Sequence, residues 1–165
     1  MRRDRQKCAK DFRSDYATHT DFCEALTQDT NSLYLLAFLL TTNHEDAEHC
    51  FAATVEEVFK PATVFREWAS RWIRRTLIIQ AIMIVFDPNR HKQNADSWYS
   101  DEGESGLTID ATNSLADLDR FVFVMSVLER YSVHECSLFL GCSSGAVIQS
   151  RERALSSLAS LTPAT

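Results

Sequence analysis

The stretch that most constrains this chain runs from Glu129 to Leu158, ERYSVHECSLFLGCSSGAVIQSRERALSSL. Ser132 suits an N-cap, and Val133, Cys136, Phe139 and Leu140 follow it with the three-and-four spacing of an apolar helix face. Gly141 suits a helix end, and Ser143 or Ser144 can cap a second helix carrying Val147, Ala154, Leu155 and Leu158. Two helices joined by so short a glycine-containing turn predict a helix-turn-helix, whose second helix commonly lies in the DNA major groove. An ordinary helical hairpin packed for stability meets the same pattern. The turn alone leaves both readings open, and the rest of the chain has to decide.

With 165 residues, 45% of them hydrophobic, the chain can bury a core as one domain or two small ones. Four Gly, three Pro and no sustained β-branched alternation predict an all-α fold. No run reaches the ~18 apolar residues of a membrane span, the longest candidate being Thr76 to Phe86. The basic start (Arg2, Arg3, Arg5, Lys7, Lys10) is not followed by the apolar segment of a secretory signal, so a cytoplasmic protein is expected.

The five cysteines, Cys8, Cys23, Cys50, Cys136 and Cys142, show no zinc spacing and are expected to be free, mostly buried thiols. His44 and His49 stand five apart, unlike the zinc-binding HExxH helix, and suit a solvated polar face. No metal and no cofactor are expected. Enzymatic chemistry is disfavoured as well, because no nucleophile-base pair or phosphate-cradling glycine loop is present.

A net charge of -6 argues against a general nucleic-acid binder, but its distribution is uneven. From Asp21 to Lys60 there are eight acids and one base, whereas from Pro61 to Lys92 there are six bases and two acids. Gln93 to Arg120 is acidic again, with seven acids against Arg120.

In chain order, residues 1–17 read as a basic, frayed arm. Helical patterning begins at Thr20, breaks at the polar run Gln28 to Thr30, and resumes from Ser32 to Leu40. Thr42 or Asn43 caps the next helix, which runs to about Phe59 with Glu45, Asp46 and Glu48 in its first turn. After Pro61 a long helix is expected from Val64 to about Val85, closed by the turn Asp87-Pro88-Asn89. Residues 93–113 form an acidic, polar linker. Ser114 then caps a helix carrying Leu115, Leu118, Phe121, Val122, Met125 and Leu128. The economical architecture is two small helical bundles, 18–92 and 114–165, joined by the linker.

On the long helix, Arg66, Arg71, Arg74 and Arg75 interleave with Trp68 and Trp72. Arginine can neutralise phosphates and an exposed aromatic can stack on an unpaired base for roughly 1 to 3 kcal/mol, a combination suited to a partly melted strand. Alternatively, both tryptophans are core and the arginines pair with the acidic helix before them.

In this order and at these distances, the two halves resemble a bacterial RNA polymerase sigma factor of the extracytoplasmic-function type, over residues 18–160. The stretch LYLLAFLLTTNHEDAEHCFAATVEEVF resembles the start of the family's region 2. VFREWASRWIRRTLIIQAI resembles its continuation, and LADLDRFVFVMSVLERYSVHECSLFLGCSSGAVIQSRERAL resembles region 4. The resemblance implies that a helix bearing Asp46, Ala47, Glu48, Phe51 and Val55 binds core RNA polymerase. It implies that Arg66, Trp68, Arg71, Trp72, Arg74 and Arg75 lie near minus-ten promoter DNA. Ser143, Ser144, Ala146, Gln149, Ser150, Arg151 and Arg153 would face the minus-thirty-five element. Factors of this type are often held by an anti-sigma protein.

The departures from the family pattern are specific. After Asp-Ala-Glu, His49, Ala52 and Ala53 replace a run that is usually polar and charged. In the recognition helix, Ala146, Val147, Ile148, Gln149 and Ser150 replace a usual Thr-Val-Lys-Ser-Arg, so two cations are absent. That weakens binding and flattens its salt dependence by about two units of slope. Arg151 and Arg153 remain, and Gln149 is a candidate reader of adenine. Three functions remain in play: a promoter-specificity subunit that directs initiation, a sigma-like regulator that binds polymerase or a partner without reading promoters efficiently, or a polymerase-independent helix-turn-helix repressor.

Overall fold

The first helix starts where a threonine and an aspartate satisfy each other's backbone. Thr18 N donates to Asp21 Oδ2 at 2.7 Å and Asp21 N donates to Thr18 Oγ1 at 3.3 Å, a capping box that opens α1, His19–Thr41. The structure, a computed structural model, describes residues 15–60, 63–87 and 112–161. The polar run at 28–30 does not interrupt α1. Thr27 Oγ1 and Thr30 Oγ1 donate to the carbonyls of Cys23 and Leu26, at 2.8 and 2.7 Å, so these hydroxyls are satisfied without leaving the helix. Thr42 ends α1 in the left-handed region, at φ 67°. Asn43 caps α2, His44–Val58, with Oδ1 accepting from Asp46 N at 2.8 Å.

The third helix starts later than its apolar pattern suggests. A 3-10 turn, Arg66–Trp68, leads into α3, Ala69–Val85. The residues before it are extended because the end of the N-terminal arm pairs with them: Ala17 N donates to Val64 O at 2.7 Å and Arg66 N to Asp15 O at 2.8 Å. The rings of Tyr16 and Phe65 stack at 5.0 Å. Residues 15–17 therefore belong to the fold rather than to a frayed arm, while 1–14 lie outside the described residues. α1, α2 and α3 pack mutually around Leu33, Leu40, Ala47, Cys50, Ile73, Leu77 and Ile78, all buried.

The second bundle opens with α4, Asp117–Phe123, whose N-cap is Ala116 and not Ser114. α4 continues as a π-helical turn, Val124–Leu128. The five residues from Phe121 to Met125 are all buried, and a helix apolar on every side must be covered on every side. α4 contacts α1 of the first bundle and the final helix of the second. Phe86 at the end of α3 meets Phe121 with ring centroids 5.2 Å apart. The two bundles thus share one contiguous core. Thr112 is buried and its carbonyl accepts from Leu115 N at 3.2 Å, so the end of the expected linker belongs to this bundle. Residues 93–111, and the expected turn after Asp87, lie outside the described residues.

The helix-turn-helix forms as its cap residues dictate. Ser132 and Glu135 make a capping box at the head of α5, Val133–Leu140, and Gly141 closes it at φ 61°. Ser143 Oγ accepts from Ala146 N at 3.2 Å, which makes Ser143 the cap of α6, Ser144–Leu161. Among the described residues the architecture is all-α, with one isolated bridge between Tyr16 and Phe65, and no helix is long and apolar enough to cross a membrane.

Candidate functional site

α3 buries one stripe and leaves an arginine-aromatic stripe outside it. Ala69, Ile73, Thr76 and Leu77 face the core, while Trp68 is 57% exposed and the Arg71 side chain 75% exposed. Trp72 is half-buried against the core. The expectation that both tryptophans are core is met only for Trp72: Trp68 stands exposed with its ring edge-on to Phe65 at 5.6 Å.

Opposite this stripe stands α5. Trp68, Arg71, Trp72, Arg75 and Ile79 form one wall of a cleft of about 680 Å³, and Tyr131, Glu135, Leu138 and Phe139 form the other. The partners seen for these arginines among the described residues stand outside α2. Arg74 Nη1 donates to Glu129 Oε1 at 2.9 Å and Nη2 donates to Ser32 Oγ, so both its terminal nitrogens are engaged. Arg71 approaches Glu135 Oε1 at 3.8 Å, and the Arg75 guanidinium lies 5.1 Å from the Phe139 ring centroid. Arg66 instead joins the first capping box, its Nε 3.1 Å from Asp21 Oδ1. Burial pushes the Tyr131 phenol up, and the Ser132 backbone and hydroxyl, with smaller help from Arg71 and Arg75, hold the Glu135 carboxyl down. Glu129, Tyr131 and Phe139, on the far side of the site, were not among the expected site residues. Arg74 and Glu129 are 55 positions apart, and no local pattern joins them.

On α6 the expected DNA-facing residues divide. Ser143, Ser144 and Gln149 are exposed and Ala146 is half-exposed. Ser150 is fully buried, with its Oγ accepting from Arg153 Nη2 at 2.8 Å, so it offers DNA no atom in this arrangement. Arg153 forms a two-pronged bond with Asp119, Nε to Oδ2 at 3.0 Å and Nη2 to Oδ1 at 2.6 Å. Burial works to raise the Asp119 pKa, but the hydrogen bonds from Arg153 and Ser150 and the Arg153 charge outweigh it and hold the carboxyl low. Arg151 is half-buried at the opposite edge of the helix. By helical spacing, the outward face of α6 is Gly145, Ile148, Gln149, Glu152, Leu155 and Ser156, all exposed, with no cation among them.

On α2, Glu48 is exposed and Asp46, Phe51 and Val55 are part-exposed. Ala47 is fully buried in the first bundle, so it spaces the helices and does not present a contact surface.

No family model and no curated protein matches the sequence. Among solved structures, the fold is similar to that of the sigma factor RpoE in complex with the anti-sigma factor NepR from Bartonella quintana. The TM-score is 0.54 at 20% identity, over 86% of this chain and 96% of that one. The chain therefore has the two-bundle fold of a sigma factor.

Proposed function

We propose that this chain is a sigma-type transcription factor that docks on core RNA polymerase through α2 and contacts promoter DNA chiefly through α3. The observation that carries the reading is the exposed row of Trp68, Arg71 and Arg75 lining one cleft in a chain of this fold. Cations that neutralise phosphate and an indole that stacks on an unpaired base are what a melted promoter strand requires. α6 then positions more than it grips. The similar sigma factor was solved with an anti-sigma protein, and a partner of that kind is part of the proposal. The test is run-off transcription with purified core polymerase on a genomic promoter library. Specific transcripts are expected, and complete inactivity in the presence of a stable polymerase complex would refute promoter direction.

A second reading, a sigma-like regulator that binds polymerase or a partner protein without efficient promoter reading, is favoured by the cation-free outer face of α6 and by the tie of Arg153 to Asp119. It predicts core binding without initiation. The same face counts against a polymerase-independent repressor, which would depend on α6 for its whole hold on duplex DNA.

A further inference from the structure

We infer that the helix-turn-helix bundle carries a built-in clasp over the arginine face of α3, in which Glu129, assisted by Glu135, occupies guanidinium groups that nucleic-acid phosphates would otherwise take. The inference rests on the proposed role of α3 and adds how that role is restrained. Arg74 is held on both sides, by Glu129 from the second bundle and by Ser32 from α1. The Arg74 and Glu129 side chains are only 25% and 17% exposed, so their attraction is screened less than that of a surface pair. Arg71 and Glu135, at 3.8 Å and 75% and 41% exposed, form the loose outer edge where an incoming strand first finds a cation.

The corner that presents Glu129 is unusual in the same place. The π-helical turn Val124–Leu128 inserts an extra residue, and Glu129 N donates to Val124 O at 2.9 Å. One added residue rotates the downstream chain by about 100° around the helix axis, so a regular α-helical end would carry Glu129 away from α3. The next residue, Arg130, stands at φ 60°, a conformation that non-glycine residues adopt reluctantly and that cap geometry elsewhere in this bundle assigns to Gly141. Tyr131 N then bonds Met125 O at 2.9 Å, fixing the corner with Glu129 on its α3 side. Glu129 gives Arg74 one anionic oxygen through Nη1, the charge-assisted contact that a phosphate oxygen would otherwise make there. A nucleic-acid strand must displace it, and the apparent affinity scales with the fraction of molecules in which the clasp is open.

The experiment uses the full chain without polymerase and measures binding of a fluorescent thymidine 20-mer by anisotropy across a salt series. Glu129→Gln removes the competing charge, and Glu129→Asp keeps the charge but shortens its reach. Glu152→Gln removes one charge from the exposed face of α6 as a control for net charge, and circular dichroism checks that each variant is folded. Both Glu129 variants are expected to bind the strand at least five-fold tighter, with a salt slope steeper by about one unit, while the Glu152 variant changes less than two-fold. Equal effects of Glu129→Gln and Glu152→Gln, or unchanged binding in both Glu129 variants, would overturn the clasp. Failure of the sigma-type reading shows separately, as absence of core-polymerase binding by the unsubstituted chain.

Discussion

Arg120, only 3% exposed, donates from Nε to the carbonyl of Leu40 at 3.1 Å, closing the C-terminal end of α1 with a side chain from the other bundle. The last carbonyls of a helix lack internal partners and carry the negative end of its dipole, so a cation there satisfies both demands. Nη1 of the same guanidinium bonds Leu115 O at 3.2 Å and Nη2 bonds Asp117 Oδ1 at 2.6 Å. Arg120→Met strands two buried carbonyls and is expected to lower unfolding stability by about 3 kcal/mol. Urea denaturation checks it, and a loss below about 1 kcal/mol would mean that water replaces the guanidinium.

The helix-turn-helix corner rests on two local devices that are separable. Gly141 at φ 61° has open space around its missing Cβ, so Gly141→Ala meets only conformational strain, about 1 kcal/mol. Ser132→Ala removes the hydroxyl half of the capping box and is expected to lower stability by about 1 kcal/mol. The two sites bracket one short helix, and denaturant midpoints of the single and double variants show whether the losses add.

Acid sensitivity arises from three carboxylates held below their ordinary range. Thr18 and then Arg66 hold Asp21 low, Ser132 holds Glu135 low, and at Asp119 the bonds from Arg153 and Ser150 outweigh burial. Each lowered carboxyl contributes stability that is fully present above its unfolded pKa, about 4, and lost as pH falls through its folded value. Urea midpoints at pH 7 and 5 should nearly coincide, and the midpoint at pH 3 should be lower. Asp119→Asn should flatten that drop, and an unchanged pH profile would contradict the pairing with Arg153.

Thiol reactivity should separate the cysteines. Burial pushes Cys50 up to about 12 and Cys136 up to about 11, so neither is a thiolate near neutral pH, while Cys23 is exposed. A neutral-pH alkylating reagent is expected to modify Cys23 in the native protein and to reach Cys50 and Cys136 only after unfolding. Peptide mass mapping reads this directly, and native labelling of Cys50 would contradict its place in the core.

The elements whose signals are local were legible in the sequence. Ser132, Gly141 and Asn43 act as the caps their residue types suggest, and the apolar face of α5 is set by spacing alone. The expected break in α1 failed because threonine hydroxyls turned back onto the helix that they were expected to disrupt. The start of α3 moved because residues 15–17 pair with 64–66, a contact across some fifty positions. The partners of Arg74, Arg71 and Arg120 were illegible for the same reason, since Glu129, Glu135 and Leu40 meet them only when the bundles come together. Of the cysteines expected to be free and mostly buried, Cys50 and Cys136 are buried, Cys142 is half-buried and Cys23 is exposed on α1, while Cys8 lies outside the described residues.

The proposed docking on polymerase is tested most directly by mixing the purified chain with core RNA polymerase at micromolar concentration and resolving the mixture by gel filtration. A stoichiometric complex is predicted, weakened about tenfold by Glu48→Lys on the exposed face of α2 and little changed by Glu152→Gln on α6. Elution of the chain entirely apart from the polymerase would contradict it.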